Sequence, residues 1–99
     1  MLISWKLFNK EKKLNKILFY HKFCDNISRS YLETVSQDQN NKFYLYSIGG
    51  NNYHDIAGVI IYRIILNTPK KYRIFISTIG IHPNVRNSGY GSIIIKEII

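Results

Sequence analysis

The residues that could do chemistry sit together near the carboxyl end, in the run Ile79-Gly80-Ile81-His82-Pro83-Asn84-Val85-Arg86-Asn87-Ser88-Gly89-Tyr90-Gly91-Ser92. An apolar strand ends at a proline, a glycine-bearing loop follows, and a helix begins at Tyr90 or Gly91. The first amides of a helix have no intrahelical partner and carry a partial positive charge, so they attract anions. Gly89 and Gly91 remove side chains where an anionic group would have to approach the backbone. Arg86 adds a positive charge beside those amides. Together these residues can cradle a pyrophosphate.

Two other phosphate loops do not fit. A dinucleotide fingerprint needs a third glycine where Ile94 stands, and a Walker loop needs a lysine that Gly91-Ser92 lacks. A lone Gly-x-Gly fits a plain strand–turn–helix corner equally well, so the longer context decides. Arg86-x-x-Gly89-x-Gly91 resembles the Arg/Gln-x-x-Gly-x-Gly/Ala motif of the GNAT acyltransferase superfamily. Ile79-Gly80-Ile81-His82-Pro83 is similar to the strand end that precedes that motif, and Ile56-Ala57-Gly58 is similar to the opening of the family's third strand.

The resemblance implies a function and a set of positions. The protein would bind acetyl-CoA as acyl donor and, at full length, transfer the acetyl group to a primary amine. The pantetheine arm would pair with the backbone of Ile79, Gly80 and Ile81. The pyrophosphate would rest on Asn87, Ser88, Gly89, Tyr90 and Gly91 after Arg86, with Ser92 offering its hydroxyl. Many members carry glycine where Asn87 stands, and asparagine tolerates left-handed backbone angles better than most residues.

Catalytic residues are not identified. Aminolysis of a thioester needs a route for the amine's proton, a donor for the oxyanion and an acid for the thiolate. Relatives often use a Glu on the fourth strand as base, whereas Ser77 and Thr78 stand at the matching positions. His82 is a candidate by residue chemistry alone, because imidazole exchanges protons near neutral pH. The resemblance places the leaving-group acid, a Tyr, on a helix beyond Ile99. The acceptor amine is not specified.

The elements that must position the cradle follow from periodicity. Leu2 to Phe8 alternates and reads as a strand with Ile3, Trp5 and Leu7 on one face. Lys10 to about Cys24 has helical spacing, and a second helix carries Ile27, Tyr31, Leu32 and Val35. It starts either from an Asp25-Asn26 cap or from a Ser30/Glu33 capping box. Lys42 to Ile48, Ile56 to Leu66 and Tyr72 to Ile81 read as strands, separated by turns at Gly49-Gly50-Asn51-Asn52 and Asn67-Thr68-Pro69-Lys70-Lys71. The nearly apolar run from Ile56 to Leu66 predicts cover on both faces. Gly80 inside a strand predicts a bulge or a close backbone approach. The order β-α-α-β-β-β-α gives an α/β fold of the α+β type, an antiparallel sheet flanked by helices and an incomplete GNAT fold. The chain closes inside its last helix on apolar Ile98-Ile99, so residues 1–99 are expected to form one partial domain.

Composition narrows the setting. A net charge of +8 over 99 residues, with a pI near 9.7, attracts anions of several kinds. The one dense basic run, Lys10, Lys12, Lys13 and Lys16, also reads as the solvated face of a helix. One cysteine and three histidines without ligand spacing exclude a disulfide framework and a metal site. No apolar run nears the roughly 20 residues of a bilayer span, and the start lacks signal-peptide order. The expectation is a soluble, intracellular, cytoplasmic protein without membrane contact, pairing into a homodimer through the edge of its fourth strand. Two alternatives stand beside the enzyme: a basic module binding nucleic acid or protein through segments such as Lys42-Phe43-Tyr44, and an inactive remnant.

Overall fold

A computed structural model describes residues 1–10, 14–50, 52–68 and 71–99. Lys12 and Lys13 of the basic run, Asn51 of the first turn and Pro69-Lys70 of the second lie outside the described residues. The elements are β1 (Leu2–Ser4), α1 (Trp5–Phe8), α2 (Lys16–Phe23), α3 (Arg29–Gln37), β2 (Lys42–Ser47), β3 (Ile56–Thr68), β4 (Lys71–Ile81) and α4 (Tyr90–Ile98). Short 3-10 turns at Tyr53–Asp55 and Pro83–Val85 lead into β3 and out of β4. The sheet has the order β1-β2-β3-β4, antiparallel throughout. The long elements follow the expected order, and the fold is a mixed α/β arrangement with helices on an antiparallel sheet.

Period-2 alternation splits the side chains between two faces. Ile3, Leu45, Val59 and Ile61 face α1, α2 and α3, packing with Trp5, Phe8, Phe19, Phe23 and Leu32. Ile60, Tyr62, Ile79 and Ile81 face the other way, with Ile94 and Ile98 of α4. The first core is largely aromatic. Trp5 stacks at 5.2 Å from Phe19 and 5.7 Å from Tyr20, and Phe19 at 5.1 Å from Phe23. Each such pair adds about 0.5–1.5 kcal/mol beyond burial.

Four expectations need correction. The strand expected over Leu2 to Phe8 stops at Ser4 and turns into helix. Trp5 and Phe8, three apart, are buried together while Leu7 is 72% exposed, a helical pattern rather than an alternating one. The helix expected from Lys10 is α2, which starts at Lys16, where the Asn15 carboxamide accepts from the amides of Ile17 and Leu18. For α3 the cap is Ser28, whose hydroxyl accepts from the Tyr31 amide at 3.1 Å, so neither expected cap is used. Finally, β3 is covered on both faces only as far as Tyr62, which pairs with Lys42 at the start of β2. Beyond it the hairpin runs on without a neighbour on that side, leaving Ile64 and Leu66 exposed.

A β-bulge sits in β4. Ile61 pairs with Thr78 and Tyr62 with Ile76, so Ser77 is the extra residue. The Tyr31 hydroxyl on α3 donates to the Ser77 carbonyl at 3.2 Å.

Candidate functional site

The strand β4 lies at an edge of the sheet and delivers Ile79, Gly80 and Ile81 to the mouth of a cleft of about 380 Å³. Gly80 is a close approach, as its place in the strand suggests. A Cβ there would stand 2.5 Å from the Cys24 sulfur and 2.6 Å from the Phe23 carbonyl oxygen. The missing side chain lets the end of α2 pack directly on the strand.

The loop after β4 is fixed by local bonds. The His82 amide donates to the Ala57 carbonyl at 2.8 Å, which continues the ladder one residue past the strand. Its ring Nδ1 accepts from the Asn84 amide at 3.1 Å, and the ring lies edge-on to Phe23. His82 is thereby a turn cap. Arg86 reaches back: its Nε donates to the Ile81 carbonyl at 2.9 Å, and its Nη2 points to the Phe23 carbonyl at 3.4 Å. The same guanidinium pairs with the Asp25 carboxylate, the shortest contact being 3.2 Å. It ties the β4–α4 loop to the carbonyl end of α2, where positive charge is favoured.

After Arg86 the backbone turns left-handed twice, at Asn87 (φ 67°) and Gly89 (φ 81°). Asparagine thus takes at position 87 a backbone conformation that glycine adopts most readily. Gly89 caps α4 with no side-chain bond to its amides, so the first helical N–H groups remain available in the first turn. A Cβ on Gly89 or Gly91 would meet nothing within 4 Å beyond its chain neighbours and its own helix backbone.

Of the residues singled out in the sequence, Ile79, Gly80, Ile81, Arg86, Asn87, Gly89, Tyr90 and Gly91 line one cleft. Ser88 and Ser92 are exposed and stand outside its lining. Sequence reasoning missed the opposite wall, Cys24 to Ile27 in the α2–α3 connection. The signal available was the lone acid Asp25 among apolar neighbours, which reads as a helix breaker until Arg86 is seen against it. Burial, followed by the nearby Asp25 charge, pushes the Cys24 thiol up to about 11. It is therefore a neutral packing group at physiological pH.

Neither Ser77 nor Thr78 can act as a base. Thr78 is buried with its hydroxyl unpaired, and Ser77 offers its carbonyl to Tyr31. Among the described residues no cluster of His, Cys, Asp and Glu could hold a metal ion, and no helix is long and apolar enough to cross a membrane.

The family model for the acetyltransferase (GNAT) family matches residues 6–99. The chain belongs to the GNAT acetyltransferase family. GNAT members generally use acetyl-CoA, and the fold agrees with the assignment. The chain is similar in structure to the apo form of an aminoglycoside antibiotic 6'-N-acetyltransferase from Acinetobacter haemolyticus, with a TM-score of 0.54 and 12% identity over 98% of this chain and 67% of the other. A mutant of the BH1408 protein from Bacillus halodurans aligns at 14% identity and TM-score 0.45, over 94% of this chain and 55% of that one. The chain therefore spans about two thirds of the first structure and little more than half of the second. No curated protein matches it in sequence.

Proposed function

We propose that this GNAT chain binds acetyl-CoA in the cleft between β4, the start of α4 and the α2–α3 connection, as the donor half of an N-acetyltransferase acting on a primary amine. The observation that carries the reading is Gly91. It occupies an ordinary helical position, where glycine costs about 0.5–1 kcal/mol relative to alanine. A Cβ there would meet nothing within 4 Å beyond its chain neighbours and its own helix. A glycine with no internal reason, facing the cleft beside unpaired amides, leaves room for something outside the chain.

The residues present suit a pyrophosphate. The amides of the first turn of α4 receive the charge, and the left-handed turns at Asn87 and Gly89 aim them. Pairing with Arg86 screens the Asp25 carboxylate, which would otherwise repel an anion across the cleft. The free edge of β4 beside Ile79 to Ile81 offers amide and carbonyl groups to the pantetheine arm. Bound acetyl-CoA supplies the activated acyl thioester, while the chain binds and orients it. The neutral Cys24 thiol adds no competing negative charge.

The test is thermal unfolding with and without millimolar coenzyme A, using ATP as a control. Ligand at 100 times its Kd stabilises by about 2.7 kcal/mol, several degrees for a domain this size. Arg86→Ala should shrink that shift along with the stability of the loop. A parent chain that melts cooperatively at one temperature with and without coenzyme A removes the assignment.

A further inference from the structure

At the far edge of the sheet from the cofactor cleft, where Ser4 of β1 pairs with Tyr44 of β2, a second cleft of about 280 Å³ opens. Lys6 from α1, Lys16 from the first turn of α2 and Lys42 from the start of β2 all line it, beside the aromatic residues Trp5 and Phe43. None of its described lining residues is acidic. Three elements thus bring three lysines to the lining of one concavity, and none of its described lining residues carries a balancing negative charge. Lys16 is the least solvated of the three: its Nζ sits 4.1 Å from the centre of the Phe43 ring. Burial, and then the neighbouring Lys6 charge, lower its pKa. Burial and the Lys6 charge thus disfavour this cation, and the face of the Phe43 ring offsets part of that cost.

We propose that this lysine cleft is a second anion site, separate from the cofactor cleft, which takes the phosphate group of a small phosphorylated molecule. The position keeps it apart from acetyl transfer. β1 and β4 are the two edges of the four-stranded sheet, and three strand spacings put about 14 Å between them. The size selects the ligand. A volume at the low end of small-molecule sites suits a phosphate or a phosphorylated sugar, whereas a nucleic acid would track a longer basic groove. A dianion there would offset the repulsion between Lys16 and Lys6 and make charge-assisted hydrogen bonds to the lysines of the lining. The aromatic walls at Trp5 and Phe43 exclude water from one side and strengthen those bonds.

The experiment is a titration of the full chain with inorganic pyrophosphate, followed by amide NMR shifts and compared with a coenzyme A titration. Pyrophosphate should give saturating shifts at Lys6, Lys16 and Lys42, distinct from any that coenzyme A causes between Asn87 and Ser92. Lys16→Met should weaken the pyrophosphate response at least fivefold. The exposed Lys6→Met should do the same without touching a buried group, so the test survives if Lys16→Met fails to fold. Shifts that never saturate, that fall only between Asn87 and Ser92, or that persist unchanged in the lysine variants overturn the proposal. A short oligonucleotide that moves the same signals at lower concentration than pyrophosphate overturns the choice of a small ligand.

Discussion

Replacing Gly91 by leucine separates ligand space from folding. In the parent, the position is the second residue of α4 with an ordinary helical backbone, and its missing Cβ faces open space. Leucine is among the better helix formers, so Gly91→Leu should stabilise the unliganded chain by about 0.5–1 kcal/mol. For a domain of this size that raises the melting temperature by about 2–8 °C. The same side chain would fill the approach to the amides of the first turn, and coenzyme A affinity should fall at least tenfold, about 1.4 kcal/mol. Melting curves of both proteins across a coenzyme A series read the two effects at once. The diagnostic pattern is a higher unliganded melting temperature together with a lost ligand shift. If Gly91→Leu melts below the parent, the glycine has a packing role that the geometry missed. If it melts higher and still responds to coenzyme A as the parent does, the ligand does not use this helix end.

Two further outcomes follow from the cleft walls. Cys24 has its thiol pKa raised from 9.0 to about 11 in the fold, so between pH 9 and pH 11 the unfolded chain binds fewer protons and stability falls as pH rises. The Cys24 share is present in full below pH 9 and approaches about 2–3 kcal/mol of loss by pH 11. Urea unfolding at pH 7, 9 and 10 should show a steeper decline in the parent than in Cys24→Ala, and parallel declines would refute it. Gly80→Ala puts a methyl group against the Cys24 sulfur and the Phe23 carbonyl and should cost about 2–3 kcal/mol in urea unfolding. Adding Cys24→Ala should recover only part of that, because the backbone oxygen remains; full recovery would mean the sulfur alone sets the limit.

The sequence carried the β4–α4 side of the cleft better than its opposite wall, for physical reasons. Glycine and proline constrain the backbone locally, so Gly80, Pro83, Gly89 and Gly91 mark the strand end, the turn and the helix start without tertiary information. Asn87 was legible for the same reason, since few residues accept its left-handed angle. Asp25 was not. Its role depends on Arg86, and the two are brought together only when α2 packs on β4 through Gly80. The first strand was overread because Ile3, Trp5 and Leu7 alternate, while Trp5 and Phe8 also sit one helical turn apart. Tertiary burial of both rings settled a choice that the local pattern left balanced. The reach of β3 past Tyr62 was equally invisible, since apolar composition does not say where a neighbouring strand ends.

The bulge at Ser77 also constrains how this chain can change length. Along β4, Ile74 and Ile76 share a face with Ile79 and Ile81, an odd offset that only the extra residue permits. Deleting Ser77 would restore simple alternation and leave Ile76 and Ile79 two apart, still on one face and with the pairing to β3 unchanged. Deleting one residue past the bulge, such as Ile79, would instead draw Ile81 into the place of Gly80 beneath Cys24, where not even a methyl group fits. Loss of a single residue should thus be tolerated at Ser77 and far less so between Thr78 and Gly80, a length rule written by one bulge and one glycine.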